Sequence, residues 1–214
     1  MKKIFLLLLM ILTVSGCGGA SQEKTSTAPE KNQPTTQARS ADKKILVVYF
    51  SRTGEEYNVG NITTGNTAIV ADIIAKKLGA DTFEVKAATP YPDAYEACTE
   101  LAKRELESNA RPAFAKNIDS FAQYDTIFVG YPIWWGAVPR VMMTFLEANA
   151  LSGKTIVPFC THGGSGLSGT EREIADACPN AKVLSGLAIV GKQCQNDPAA
   201  VESEVADWLK GLGY

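Results

Sequence analysis

Ser51-Arg52-Thr53-Gly54 and, after a gap, Asn66-Thr67 bring together hydroxyls, glycine and an amide, the residue types that hold an oxyanion by hydrogen bonds. They sit between two regular patterns. Ile45-Leu46-Val47-Val48-Tyr49-Phe50 is a continuous apolar, β-rich run, short enough for a buried parallel strand. Ala68 to Leu78 repeats its apolar residues at helical spacing and is entered through Asn66-Thr67. A strand, a small polar loop and a helix start aim unpaired N–H groups and a positive dipole end at one point, where a phosphate fits. Two other phosphate loops fail on these residues. Gly60 to Thr67 reads G-x-x-x-x-G-N-T, with Asn66 where a nucleotide triphosphatase needs lysine, so the β- and γ-phosphates lack their counter-charge. The dinucleotide fingerprint G-x-G-x-x-G does not follow the strand, which argues against a Rossmann NAD site. The loop suits one monoester phosphate.

Two later stretches also follow apolar, strand-like runs: Gly130-Tyr131-Pro132-Ile133-Trp134-Trp135-Gly136 and Thr161-His162-Gly163-Gly164-Ser165-Gly166. With them the chain resembles the flavodoxin-like family. Ser51 to Gly54 joined to Asn66-Thr67 is similar to the flavodoxin phosphate loop S/T-x-T-G-N-T, split by an eleven-residue insertion, Glu55 to Gly65. The three stretches together resemble the FMN-binding loops of a bacterial flavodoxin carrying that insertion, and the resemblance runs from Ile45 to the C-terminus.

The resemblance implies FMN as cofactor and a role for each loop. In the first, the hydroxyls of Ser51 and Thr53 and the amides of Gly54, Asn66 and Thr67 would cradle the phosphate. Helix capping is the plainer alternative for the two hydroxyls. Arg52 belongs to this loop, with its side chain expected toward solvent. The insertion is either a flap over the cofactor or an edge for a partner. In the second loop, Tyr131, Pro132 and Ile133 lead into adjacent tryptophans, Trp134 and Trp135, that must point different ways. At most one lies flat on the isoalloxazine, unless both pack in the core, and an aromatic wall there would lower the flavin potential. Gly136 allows close backbone approach to the ring edge. In the third, Thr161, His162, Gly163, Gly164 and Gly166 offer amides and a hydroxyl to the pyrimidine edge. His162 either hydrogen-bonds or protonates flavin or substrate, or is structural. It is the only histidine, which excludes a histidine-based metal cluster. Neither Ser165 nor Ser168 sits in G-x-S-x-G, so no hydrolase elbow exists.

These loops need a scaffold. Asp81 to Val85, Asp125 to Gly130, Lys154 to Cys160 and Ala181 to Val190 read as four further strands. Tyr95 to Ser108, Val138 to Ala148, Gly169 to Cys178 and Pro198 to Leu212 read as helices. Such alternation implies an α/β fold, a five-stranded parallel sheet covered on both faces. Right-handed crossovers and the resemblance favour a doubly wound flavodoxin-like order, 2-1-3-4-5. In that order the loops after strands one, three and four meet where the order reverses, the usual ligand crevice.

The N-terminal part reads differently. Lys2 and Lys3 precede an apolar run of eleven, Ile4 to Val14, and Val14-Ser15-Gly16-Cys17 is similar to a bacterial lipobox. Residues 1–16 are therefore expected to be a lipoprotein signal peptide and Cys17 a lipidated N-terminus, tethering the protein to a bacterial membrane outside the cytoplasm. Residues 17–43 have a disordered-linker composition, leaving 44–214 as one flavodoxin-like, FMN-binding domain. Loss of residues 1–16 moves the formal charge from −2 to −4, with no basic stripe for nucleic acid. Cys98, Cys160, Cys178 and Cys194 form no C-x-x-C pair, and a Cys178–Cys194 bridge is one option for an exported chain. The leading expectation is a redox protein that passes electrons to or from a partner protein or a small-molecule acceptor. An NAD(P)H-dependent quinone reductase and a flavin-free binding module are the alternatives.

Overall fold

In the computed structural model, which describes residues 44–214, five parallel strand positions form the centre of the chain. The elements in chain order are β1 (Ile45–Tyr49), β2 (Gly54–Glu56), β3 (Gly60–Ile62), α1 (Asn66–Leu78), β4 (Asp81–Glu84) and α2 (Tyr95–Glu107). There follow β5 (Thr126–Pro132), α3 (Arg140–Ala148), β6 (Thr155–His162), α4 (Thr170–Ala177), β7 (Lys182–Val183), β8 (Leu187–Val190), α5 (Gly191–Asn196) and α6 (Pro198–Leu212). The main sheet runs β4-β1-β5-β6, with β7 and then β8 along the outer edge of β6, all parallel. Counting β7 and β8 as one position, this is the expected order and the expected α/β fold. Residues 1–43, with the expected signal peptide, Cys17 and linker, lie outside the described residues. Among the described residues no helix is long and apolar enough to cross a membrane.

Alternate side chains of the central strands feed two cores. Leu46, Val48, Ile127, Val129 and Ile156 face α3 and α4 on one side. Val47, Phe128, Val157 and Phe159 meet α1 and α6 on the other. Most of these side chains have no exposed surface, and each contributes about 1.5–3 kcal/mol by leaving water. Burial on both faces accounts for the unbroken apolar runs of β1 and β5.

The fifth strand departs from expectation. Ala181 to Val190 reads as one strand, yet the pairing breaks between Val183 and Leu187. Pro158 supplies the reason. Lys182 N–H donates to Lys154 O and Leu184 N–H to Ile156 O, both at 2.9 Å, so alternation turns Pro158 to the same edge. Proline has no N–H to continue that ladder. Ile156 faces Val183 but Phe159 faces Leu187, so one extra residue bulges out opposite the proline.

The cysteines need a second correction. Cys178 packs on one side of the sheet and Cys194 on the other, and all four described cysteines are free and buried. No Cys178–Cys194 bridge forms. Burial pushes the thiols up, to about 11 for Cys98 and Cys178 and about 12 for Cys160 and Cys194, leaving them unreactive at neutral pH.

Candidate functional site

The loops after β1, β5 and β6 meet at the carboxyl ends of neighbouring strands, where the sheet order reverses. At one end of the site lies the start of α1. Gly65 is its N-cap in an extended conformation, with no side chain to cap the helix. Ser51 does so from the preceding loop, its Oγ accepting from Ala68 N–H at 3.1 Å. A hydroxyl that accepts keeps its own O–H to donate, so capping and anion binding are compatible roles for Ser51. Gly65 is required by crowding: a Cβ there would stand 2.1 Å from Ser51 Oγ and 2.4 Å from Arg52 O. Thr53 is exposed and Gly54 buried. The Asn66 and Thr67 amides belong to the first helical turn, where N–H groups lack intrahelical acceptors. The Thr67 hydroxyl is buried and shares a 2.8 Å hydrogen bond with Thr161 Oγ1, tying the first loop to the third.

From this end a cavity of about 510 Å³ extends across the sheet edge, a size within the range for cofactor sites. Of the residues expected in the site, Arg52, Asn66, Pro132, Ile133, Trp134, Trp135, Thr161, His162 and Gly163 line it. Tyr131 does not; its side chain is fully buried, with the hydroxyl donating to Thr170 Oγ1 at 2.9 Å. Its place in the sheet, not its ring, brings it near the site. Ser51, Thr53, Gly54 and Thr67 of the first loop, and Gly136, Gly164 and Gly166 of the other two, also stand outside the cavity wall.

The two tryptophans diverge as adjacent residues must. Trp134 is half-buried, edge-on to Phe50 and Tyr91 with centroids 5.3 and 4.8 Å away. Trp135 is 56% exposed at the cavity mouth. Trp135 and Gly136 both have positive φ, 53° and 75°, and Trp134 and Ala137 exchange hydrogen bonds across them. This is the pattern of a primed two-residue turn. A tryptophan in left-handed backbone is uncommon, and its indole N–H donates to Thr99 O at 2.8 Å, which holds it there. In the third loop His162 Nδ1 accepts from Gly164 N–H at 2.9 Å. Burial lowers its pKa, so the ring is neutral at pH 7 with its proton on Nε2.

Segment 55–65 is an antiparallel hairpin, β2 against β3. Its tip, Glu56 to Val59, lines the cavity. Arg52 does not reach solvent, contrary to expectation: its side chain is 7% exposed and paired with Glu56 of the hairpin. Sequence reasoning also passed over one whole wall. Tyr95, Cys98, Thr99 and Ala102 of α2 line the cavity at i, i+3, i+4 and i+7, one face of the helix. That spacing was visible, but nothing in it says which face meets a ligand. Val190, Gly191 and Lys192 complete the rim. They lead into α5, a helix the sequence pattern did not announce, and Gln195 on it donates to Asn66 Oδ1 and Thr64 O. Among the described residues no group of His, Cys, Asp and Glu is placed to hold a metal.

Residues 44–210 match the family model for flavodoxin. The fold is similar to a candidate flavoprotein from Bacteroides eggerthii, 29% identical with a TM-score of 0.65, over 81% of this chain and 99% of that one. It is also similar to one from Bacteroides uniformis, 31% identical with a TM-score of 0.64, over 78% and 98%. A flavoprotein from Lactobacillus acidophilus, solved in complex with FMN, shares the fold at 20% identity and a TM-score of 0.57, over 72% and 97%. A comparison with curated protein sequences gave no match.

Proposed function

This chain belongs to the flavodoxin family, and from that premise we propose that it binds FMN and passes electrons to or from a partner. The observation that carries the reading is the convergence of three loops at the sheet's switch point: Asn66 in the first turn of α1 lines one cavity together with Trp134, Trp135 and Thr161, and the Ser51 hydroxyl caps α1 beside it. The residues present fit the cofactor. Ser51 keeps a free O–H while its oxygen caps α1, and the first-turn amides add donors aligned with the helix dipole. No lysine or arginine is needed against a phosphate held in this way. Bound FMN would supply the electron chemistry.

The chain's own part is binding, orientation and exclusion of water. Trp134 and Ile133 present an apolar wall, and Thr161, His162 and Gly163 present polar groups beside it. The neutral His162, with Nε2–H free of the Gly164 contact, would be available as a donor to a bound flavin's polar edge. We read segment 55–65 as an insertion into the phosphate loop. We further read residues 1–16 as a signal peptide and Cys17 as an acylated anchor, which places the domain outside the cytoplasm on a membrane.

Purification of the protein from membranes, with an absorbance spectrum and mass analysis, tests both parts. The expected outcome is a yellow protein that releases FMN on denaturation and an N-terminal peptide acylated at Cys17. A colourless protein that refuses added FMN overturns the redox reading. A soluble chain with an intact N-terminus overturns the anchor.

A further inference from the structure

Arg52 lies inside the sequence pattern assigned to the phosphate, yet its guanidinium faces elsewhere. Its Nε donates to Pro92 O at 3.2 Å, one terminal nitrogen to Glu55 O at 2.7 Å and to the Glu56 carboxylate, and the other to Asp93 O at 2.6 Å. Four contacts from a group with five N–H donors leave it little for an anion. All four acceptors belong to the hairpin or to the segment leading into α2. The same seam is sewn by Glu55, whose N–H donates to Asp93 O at 2.9 Å and whose carboxylate accepts from Tyr95 N–H at 3.0 Å.

The seam fixes what the hairpin carries. At its tip Tyr57 stacks on Tyr95 of α2, centroids 5.9 Å apart and planes 29° from parallel. The same ring lies so close to Gly163 of the third loop that a Cβ there would be 2.9 Å from it. Tyr57 thus spans the gap between α2 and the third loop, and four consecutive tip residues, Glu56 to Val59, line the cavity.

We propose that the hairpin is the outer wall of the flavin ring site, with Tyr57 as the ring contact and Arg52 as the residue that positions it. Resting on the FMN reading above, the assignment gives Arg52 to the isoalloxazine end and not to the phosphate. The two roles separate by ligand. FMN and riboflavin share the ring and differ in the phosphate, so a ring-wall residue affects both equally and a phosphate counter-charge affects FMN alone.

The test is the dissociation constant of each flavin, by fluorescence quenching, for the wild-type protein, Tyr57→Ala, Tyr57→Phe and Arg52→Gln. Tyr57→Ala and Arg52→Gln are expected to weaken FMN and riboflavin by the same factor, about two- to tenfold for the loss of one aromatic contact. Tyr57→Phe is expected to bind both as the wild type does. Tyr57 is exposed, so its truncation leaves the fold intact. Loss of FMN binding alone in Arg52→Gln overturns the positioning role, and unchanged binding of both flavins in Tyr57→Ala overturns the wall. A wild-type protein that binds neither flavin overturns the FMN reading itself and this assignment with it.

Discussion

The two ends of the cavity are built in different ways. At the proposed phosphate end Asn66 lines the cavity, and beside it Ser51, Gly65 and Thr67 come from the same strand–loop–helix unit, closed locally by Ala68 N–H donating to Ser51 Oγ. At the proposed ring end, Tyr57, Tyr95, Trp135, His162 and Lys192 line the cavity from the hairpin, α2, the second loop, the third loop and α5. Backbone geometry does the work at the first end, and side chains brought together by folding do it at the second. Damage at the phosphate end should therefore be severe and specific to the anion, whereas damage at the ring end should be graded and shared by any ligand with the ring.

The strongest way to break that contrast is Gly65→Val. Its Cβ has no room beside Ser51 Oγ and Arg52 O, so the loop must shift. The expected result is loss of detectable FMN binding with a stability loss of about 1–3 kcal/mol, the usual cost of overpacking. Retained FMN affinity in a denaturant-titrated, folded variant would show that the loop is not the phosphate cradle. Next in size is the double variant Ser51→Ala with Thr53→Ala. Two hydrogen bonds to a charged group, at about 1.5 kcal/mol each, correspond to a loss of about a hundredfold in FMN affinity. Riboflavin affinity should not change, and an equal loss for both flavins would erase the distinction between the two ends.

The smallest expected effect tests His162 at the ring end. Burial lowers its pKa below the ordinary 6.5, so the folded state favours the neutral ring. The sign follows from proton uptake. The unfolded chain binds the proton first, so stability from this group is present above about 6.5 and is lost as pH falls through the lowered folded value. Thermal melts between pH 7 and pH 5 should show a decrease of about 2 °C or less from this residue, given its partial exposure. His162→Gln should flatten that part of the profile; a profile unchanged by the substitution would show that the histidine is not held neutral.

The legibility of the chain follows the same division. The parallel sheet could be read because strands buried on both faces must be continuously apolar, as Ile45 to Phe50 is. The loop after β1 could be read because a strand, a glycine turn and a helix start are local. What misled was contact at a distance. Arg52 has Glu55 and Glu56 close by in the sequence, but Pro92 and Asp93, which complete its burial, lie far along the chain. Tyr131 stands in a loop motif, but its pleat position sends the ring into the core toward Thr170. Pro158 was visible, but its effect on the fifth strand depends on which edge its missing N–H faces, and only the register decides that.

By itself, then, the order of residues determined the alternation of strands and helices, the sheet they build and the polar turn that opens α1, because these depend on side-chain periodicity and on backbone groups a few positions apart. Tertiary structure alone decided the walls of the cavity: that α2 presents Tyr95 and Thr99 to it, that the hairpin folds back over Gly163, and that Arg52 ties the hairpin to the segment before α2. Those placements depend on contacts between segments, and such contacts have no periodicity to betray them until the chain is closed.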